Sequence, residues 1–140
     1  MTSGAWIAVA AVALALGFGL WRLGMDGRFR GTHVVRRDAP AADVVAAVGE
    51  TLGERATLLQ FSSAFCAPCR ATRRVLADVA GLVEGVIHVE VDAEHHLEAT
   101  RALGILRTPT TVVLDAAGVE VTRATGAPTR DQVLSALAQA

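Results

Sequence analysis

The sequence predicts an α/β domain, a mixed sheet flanked by helices, carried behind one N-terminal helix that crosses a membrane. Three observations predict it. The chain opens on an unbroken apolar run, short strand-like runs then alternate with helix-length segments, and two cysteines stand where one such strand gives way to a helix. Strands alternating with helices require crossover connections and a parallel core, with room for an antiparallel hairpin at one edge.

From Gly4 to Trp21 every residue is apolar or glycine. A helix over these residues rises roughly 27 Å, close to the ~30 Å hydrocarbon core of a bilayer. Leu23 and Met25 extend it, Arg22 can snorkel to the headgroups, and Trp6 and Trp21 lie near its ends as an aromatic belt requires. A cleaved signal peptide needs a positive leader and a small-residue cleavage site. Met1 to Gly4 carries no charged side chain, and LWRLGMDGRFR is a poor site. A buried helix of a soluble domain would show a polar face, and this run has none. The expectation is therefore an uncleaved, single-pass anchor over residues 1–25 in the cell membrane. Arg22, Arg28, Arg30, Arg36 and Arg37 follow the span and no arginine precedes it. The positive-inside rule then places the domain on the cytoplasmic side.

Residues 26–40 are charged, glycine-containing and weakly patterned, and read as a juxtamembrane linker with Thr32–Val35 as a candidate edge strand. The domain proper is expected over 41–140. Pro40 suits the first turn of a helix over 41–52, with Val44, Val45 and Val48 as its apolar stripe and Gly53 as its stop. Ala56–Ser62 is an apolar run without helical period, a buried strand. The cysteines then open a helix reaching about Leu82, whose apolar face is Val75, Leu76, Val79, Leu82 and Val83. Val86–Val91 is the next strand. Asp92 can cap a helix over 93–103, which Gly104 ends. Thr110–Leu114 and Val119–Ala124 form a hairpin about Ala116-Ala117-Gly118, and Thr129–Gln139 is a closing helix carrying Val133, Leu134 and Leu137.

A net charge of −1, with thirteen basic residues that are all arginine, offers no field for nucleic acid. Two cysteines so close together close too small a loop to staple a fold. Their use is redox chemistry, metal binding or nothing. In Cys66-Ala67-Pro68-Cys69 the first sulfur stands at a helix N-terminus, facing free N–H groups and the positive end of the dipole. Both favour thiolate over thiol, which lowers a cysteine pKa from ~8.5 into the ~3.5–7.5 range. Cys69, nearly a turn later, is expected to be the more buried. The division is Cys66 as nucleophile and Cys69 as resolving thiol. Pro68 supports the helix start, where its missing N–H breaks no bond. A zinc site would need two further ligands. His95 and His96 lie in another helix, His33 and His88 are isolated, and none repeats a ligand spacing, so no metal is assigned.

LLQFSSAFCAPCR and, about forty residues later, LGILRTPTTVVLDAAG together resemble the thioredoxin superfamily over roughly Thr32–Ala140. The resemblance implies the thioredoxin fold, with Pro109 in the cis form and Thr108 facing the cysteines. It implies a substrate groove framed by Phe65, Ala67, Pro68, Thr108, Pro109 and Gly126. The spacing from Cys66 to Pro109 is that of a minimal domain without the insertions of larger relatives. Two departures stand out. Phe65 and Ala67 replace the family's usual Trp and Gly around the first cysteine. Gln60 replaces the family's buried acid, and His88 aligns with that acid's lysine partner. A reduction potential between the ~−270 mV of thioredoxin and the ~−120 mV of a strong oxidant is expected in consequence.

The implied activity is a membrane-anchored thiol–disulfide oxidoreductase, reductase before oxidase, that needs no bound cofactor. Its partners are protein disulfide substrates, an electron donor or acceptor of unidentified nature, and the membrane through the N-terminal helix. A non-catalytic binding module on the same fold and a redox metallochaperone at the membrane are the alternatives.

Overall fold

The computed structural model describes residues 3–31 and 40–140. Helix α1 (Ser3–Met25) is long and apolar enough over Gly4–Met25 to cross a membrane. Its side chains stand outward along almost its whole length, and Phe18 and Trp21 pack ring to ring at 5.8 Å near its end. There follow β1 (Phe29–Gly31), α2 (Pro40–Ala47), β2 (Ala56–Ser62), α3 (Ala67–Leu82), β3 (Val86–Asp92), α4 (Leu97–Ala102), β4 (Thr110–Asp115), β5 (Glu120–Thr125) and α5 (Arg130–Leu137).

The strands form one mixed sheet in the order β1-β5-β4-β2-β3. β2 and β3 run parallel, joined through the α3 crossover, and the remaining neighbours are antiparallel. Residues alternate across β2 because the side-chain period of a strand is two. Ala56 and Leu58 face α3 and α5, meeting Leu76, Val79, Val133 and Leu137. Leu59 and Phe61 face α2 and α4, meeting Val45, Leu103 and Ile105. β2 is buried on both faces, as its near-continuous apolar run implies. Thr57, Gln60 and Ser62 are its buried polar residues, and Gln60 stands on the α3 face.

Strand β2 and helix α3 fall where the pattern predicts them. Helix α2 ends five residues short of expectation because the chain turns at Gly49, whose φ is +80. Gly53 stops nothing; it lets two backbones meet, since a Cβ there would lie 2.2 Å from the Ala56 carbonyl oxygen. Helix α4 starts late because Asp92 caps a turn, accepting from Glu94 N–H at 2.9 Å, and the helix begins only after His96. Leu82 is 61% exposed rather than part of the α3 core face. On α5, Leu134 likewise stands outside, and Ala136 fills the core position. Thr129 caps α5 through a reciprocal bond pair with Gln132.

Thr32–Val35 lie outside the described residues. Within the stretch read as linker, Phe29–Gly31 pairs with β5, matching Phe29 to Ala124 and Gly31 to Thr122. Phe29 packs against the α3-side core. Asp26 N–H continues the last turn of α1 by donating to the Arg22 carbonyl at 3.1 Å, and Gly27 N–H donates to the Thr125 carbonyl at 2.7 Å. Gly27 has φ +76, and a Cβ on it would stand 2.3 Å from the Ala127 carbonyl oxygen. Only glycine fits this join.

Candidate functional site

The site grows from the end of β2. Once Ser62 leaves the sheet, a short loop turns the chain into α3, and Cys66 is the N-cap with extended backbone at φ −99, ψ 99. Ala67 and Pro68 occupy the first two helical positions, where proline gives up no intrahelical bond. Cys69 N–H donates to Cys66 Sγ at 3.1 Å. That N–H is one of the orphan donors of the first turn, and with the helix dipole it favours an anionic sulfur at Cys66. The sulfurs are joined as a disulfide with Cα atoms 5.2 Å apart. Cys69 is 2% exposed and Cys66 only partly buried, so Cys66 is the more open of the two.

Below the pair, fully buried Gln60 donates its amide to the Cys69 carbonyl at 3.0 Å. Its Oε1 lies 3.0 Å from His88 Nε2. An amide oxygen can only accept, so His88 holds its proton on Nε2 and donates. Burial lowers the His88 pKa from its ordinary value, Glu90 opposes that shift and Arg73 adds to it. Glu90 receives Ser62 Oγ at 2.6 Å and a two-point grip from Arg73, with Nε at 2.6 Å and Nη2 at 2.8 Å. Burial alone would raise the Glu90 carboxyl. The hydrogen bonds from Arg73 and Ser62 and the charges of Arg73 and His88 outweigh it, so the carboxyl titrates below its usual range. Cys66, Arg70, Arg73, Glu90 and Asp92 border an open cleft of 370 Å³ on this side.

A pH dependence follows with its sign. A histidine whose folded pKa is depressed contributes stability fully present above its unfolded value of 6.5 and lost as pH falls through the folded value. Glu90 is depressed too, so its contribution is present above 4.5 and fades only at lower pH. The melting temperature of the oxidised chain should therefore begin to fall as the pH drops below about 6.5, and His88→Gln should flatten that first decline while leaving the more acidic one. Thermal melts of both proteins between neutral and acid pH check this; parallel curves would refute it.

On the other side of Cys66, the Thr108–Pro109 peptide is cis. Thr108 Oγ1 lies 3.1 Å from Ser63 Oγ, three residues before Cys66. Gly126, with φ +90, donates its N–H to the Pro109 carbonyl at 2.8 Å. The structure thus gathers Cys66, Cys69, Pro68, Thr108, Pro109 and Gly126 about one end of the sheet. Ala67 lies exposed on the first turn. Phe65 stands almost wholly in solvent, 99% exposed. Sequence reasoning misses Ser63, Arg73 and Glu90. One signal for Glu90 is present, since His88, Glu90 and Asp92 alternate along β3 and so share the face toward α3.

Residues 45–140 match the family model of a thioredoxin-like domain. The chain belongs to the thioredoxin superfamily. It is similar to the thioredoxin of Fasciola hepatica, at 26% identity and a TM-score of 0.58, over 71% of this chain and 94% of that one. It is also similar to a thioredoxin from Halobacterium salinarum (20%, 0.57, 69% of this chain and 78% of that one). A third likeness is the thioredoxin pre-protein of Schistosoma mansoni (18%, 0.56, 69% and 88%). No curated protein matches the chain. A thioredoxin-like domain with a close cysteine pair supports thiol–disulfide redox function in general.

Proposed function

We propose that this thioredoxin-like protein is a membrane-anchored protein-disulfide reductase, with α1 as its single span and the domain on the cytoplasmic side. The observation that carries it is the cysteine pair at the head of α3, with one sulfur reachable, the other buried behind it, and Thr108–Pro109 alongside. In the reduced protein the Cys66 thiolate attacks one sulfur of a substrate disulfide. A mixed disulfide forms and the first substrate thiolate leaves. Cys69 then attacks Cys66 Sγ, the second substrate thiolate leaves, and the Cys66–Cys69 disulfide remains. Two electrons pass to the substrate, whose sulfurs take up two protons, and an external dithiol donor restores the pair. Thr108, Pro109 and Gly126 line the path by which a substrate strand reaches Cys66, with Phe65, Ala67 and Pro68 on the opposite rim. The grip of Gln60 on the Cys69 carbonyl holds the resolving residue in place beneath Cys66.

Trapping tests the reading. Reduced full-length Cys69→Ser protein, mixed with oxidised insulin, should accumulate a covalent adduct through Cys66 that a small dithiol releases. Absence of the adduct, with Cys66 shown to be free, would sink the proposal.

A further inference from the structure

Outside α1, the two most exposed large apolar side chains among the described residues are Phe65 at 99% and Leu106 at 96%; Leu82 follows at 61%. Single exposed apolar residues are ordinary on a protein surface. These two are not scattered. Phe65 precedes Cys66 and Leu106 lies two residues before Thr108, so each tips one of the loops that frame the cysteine pair. Exposed Ala64, Ala67 and Pro68 extend the same uncharged rim.

The end of α1 meets the domain at this rim. Arg107, the neighbour of Leu106, holds Asp26 through Nη2 to Oδ1 at 2.6 Å and donates from the same nitrogen to Thr125 Oγ1 at 3.0 Å. Gly27 is bonded to Thr125, and a Cβ on Gly126 would lie 3.0 Å from Asp26 Cγ. Gly126 in turn is bonded to Pro109. A continuous set of contacts therefore runs from the last turn of α1 to the loop beside Cys66. The pairing of β1 with β5 and the packing of Phe29 leave the described join without a free swivel.

The vertical scale follows from the helix. Gly4–Met25 comprises 22 residues, about 33 Å of helix against a ~30 Å hydrocarbon core. Asp26 then lies in the headgroup layer, roughly 5–8 Å deep on each face. Arg107, ion-paired to Asp26, lies at that level, and Leu106 is its immediate neighbour. Arg22 and Arg28, also exposed, supply positive charge around the same level for anionic headgroups.

We infer that the Cys66 end of the domain rests on the bilayer that holds α1, with Leu106 and Phe65 dipping into the headgroup layer, so that its substrates are disulfides held at the membrane surface. The inference deepens the proposed function and rests on its readings of α1 as a span and of Cys66–Cys69 as a redox pair. Continuity with α1 selects the bilayer as occupant of the rim: the contacts from Asp26 through Arg107 hold Leu106 at the level where the span leaves the hydrocarbon.

The test uses the full chain in phosphatidylcholine–phosphatidylglycerol vesicles and has two arms. In the first, Leu106→Trp and Leu82→Trp are compared for fluorescence quenching by bromine-labelled lipid, with the signal of Trp6 and Trp21 subtracted. Leu82 ends α3, sixteen residues long and so roughly 24 Å from its head. Quenching at position 106 should exceed that at 82 by at least about threefold, as for a side chain seated at the interface. Equal quenching would overturn the inference whatever the redox activity proves to be. In the second arm, reduced protein releases pyridine-2-thione from a pyridyl disulfide carried either on a phosphatidylethanolamine headgroup or on a soluble peptide, its two thiols supplying the electrons. Leu106→Ser should slow release from the lipid probe by about tenfold, through loss of effective concentration, and leave the peptide probe unchanged. Equal slowing on both probes would make the rim a polypeptide surface, and no slowing would leave it without a role; either overturns the inference. Wild type that reacted with neither probe would defeat the redox reading, while the quenching arm would still decide the seat on the bilayer.

Discussion

Full-length protein carrying Cys66→Ser should lose disulfide turnover by at least about three orders of magnitude, to the level of the reductant alone. The reason lies in the order of events at the head of α3. The thiolate is the attacking species, and a hydroxyl offers no comparable anion at neutral pH. The N–H of Cys69 that stabilises negative charge on Sγ would merely hydrogen-bond a neutral hydroxyl. Cys69 cannot take over, because it is 2% exposed and its approach is closed by the residue before it in the reaction path. The two single variants should thus differ in kind. Cys69→Ser keeps the first attack and stalls as a mixed disulfide, whereas Cys66→Ser forms no adduct at all. Insulin reduction, followed as turbidity with each protein in vesicles, together with a non-reducing gel, checks both halves. Residual turnover in Cys66→Ser within tenfold of wild type would mean that Cys69 can attack unaided, and the assigned division of labour would be lost.

How much of this was legible in the chain depends on the range of the interaction. Ala56–Ser62 could be read because burial on both faces leaves a short run that carries no charge and no helical period. Helix α3 could be read because its apolar positions repeat at helical spacing and Pro68 sits where a first turn tolerates it. The likeness of two short segments to a known family brought Thr108, Pro109 and Gly126 to the cysteines, which no local pattern does. Gln60 and His88 were paired through that likeness as replacements for an acid and a lysine, and they touch at 3.0 Å. Other features escape because their partners are remote. Phe29–Gly31 is three residues long and becomes a strand only against β5, and Asp26 finds Arg107 eighty-one positions away. Helix α4 is shorter than its sequence suggests because the Asp92 side chain competes for the turn that would have opened it.

Phe61→Ala should destabilise the protein by about 3–5 kcal/mol, whereas Phe65→Ala, four residues on, should change stability by less than about 0.5 kcal/mol. The two phenylalanines have the same transfer energy and opposite environments. Phe61 is completely buried at the end of β2, in the core with Leu59, Val91, Val112 and Ile105. Truncating it removes the ring from that core and leaves a cavity that the flanking strands, pinned by ladders on both sides, cannot collapse to fill. Against a total of about 5–15 kcal/mol for a domain of this size, the loss is a large share. At about 4–8 °C per kcal/mol, it should lower the melting temperature by more than about 12 °C. Phe65 is 99% exposed and has nothing to lose on truncation. On the proposed seat at the bilayer, its contribution is made at the membrane surface and not within the isolated fold. Melting of the two variants and wild type, all oxidised, separates the cases. A substantial loss of stability in Phe65→Ala would show that the ring packs on the domain, and the seat on the bilayer would then rest on Leu106 alone.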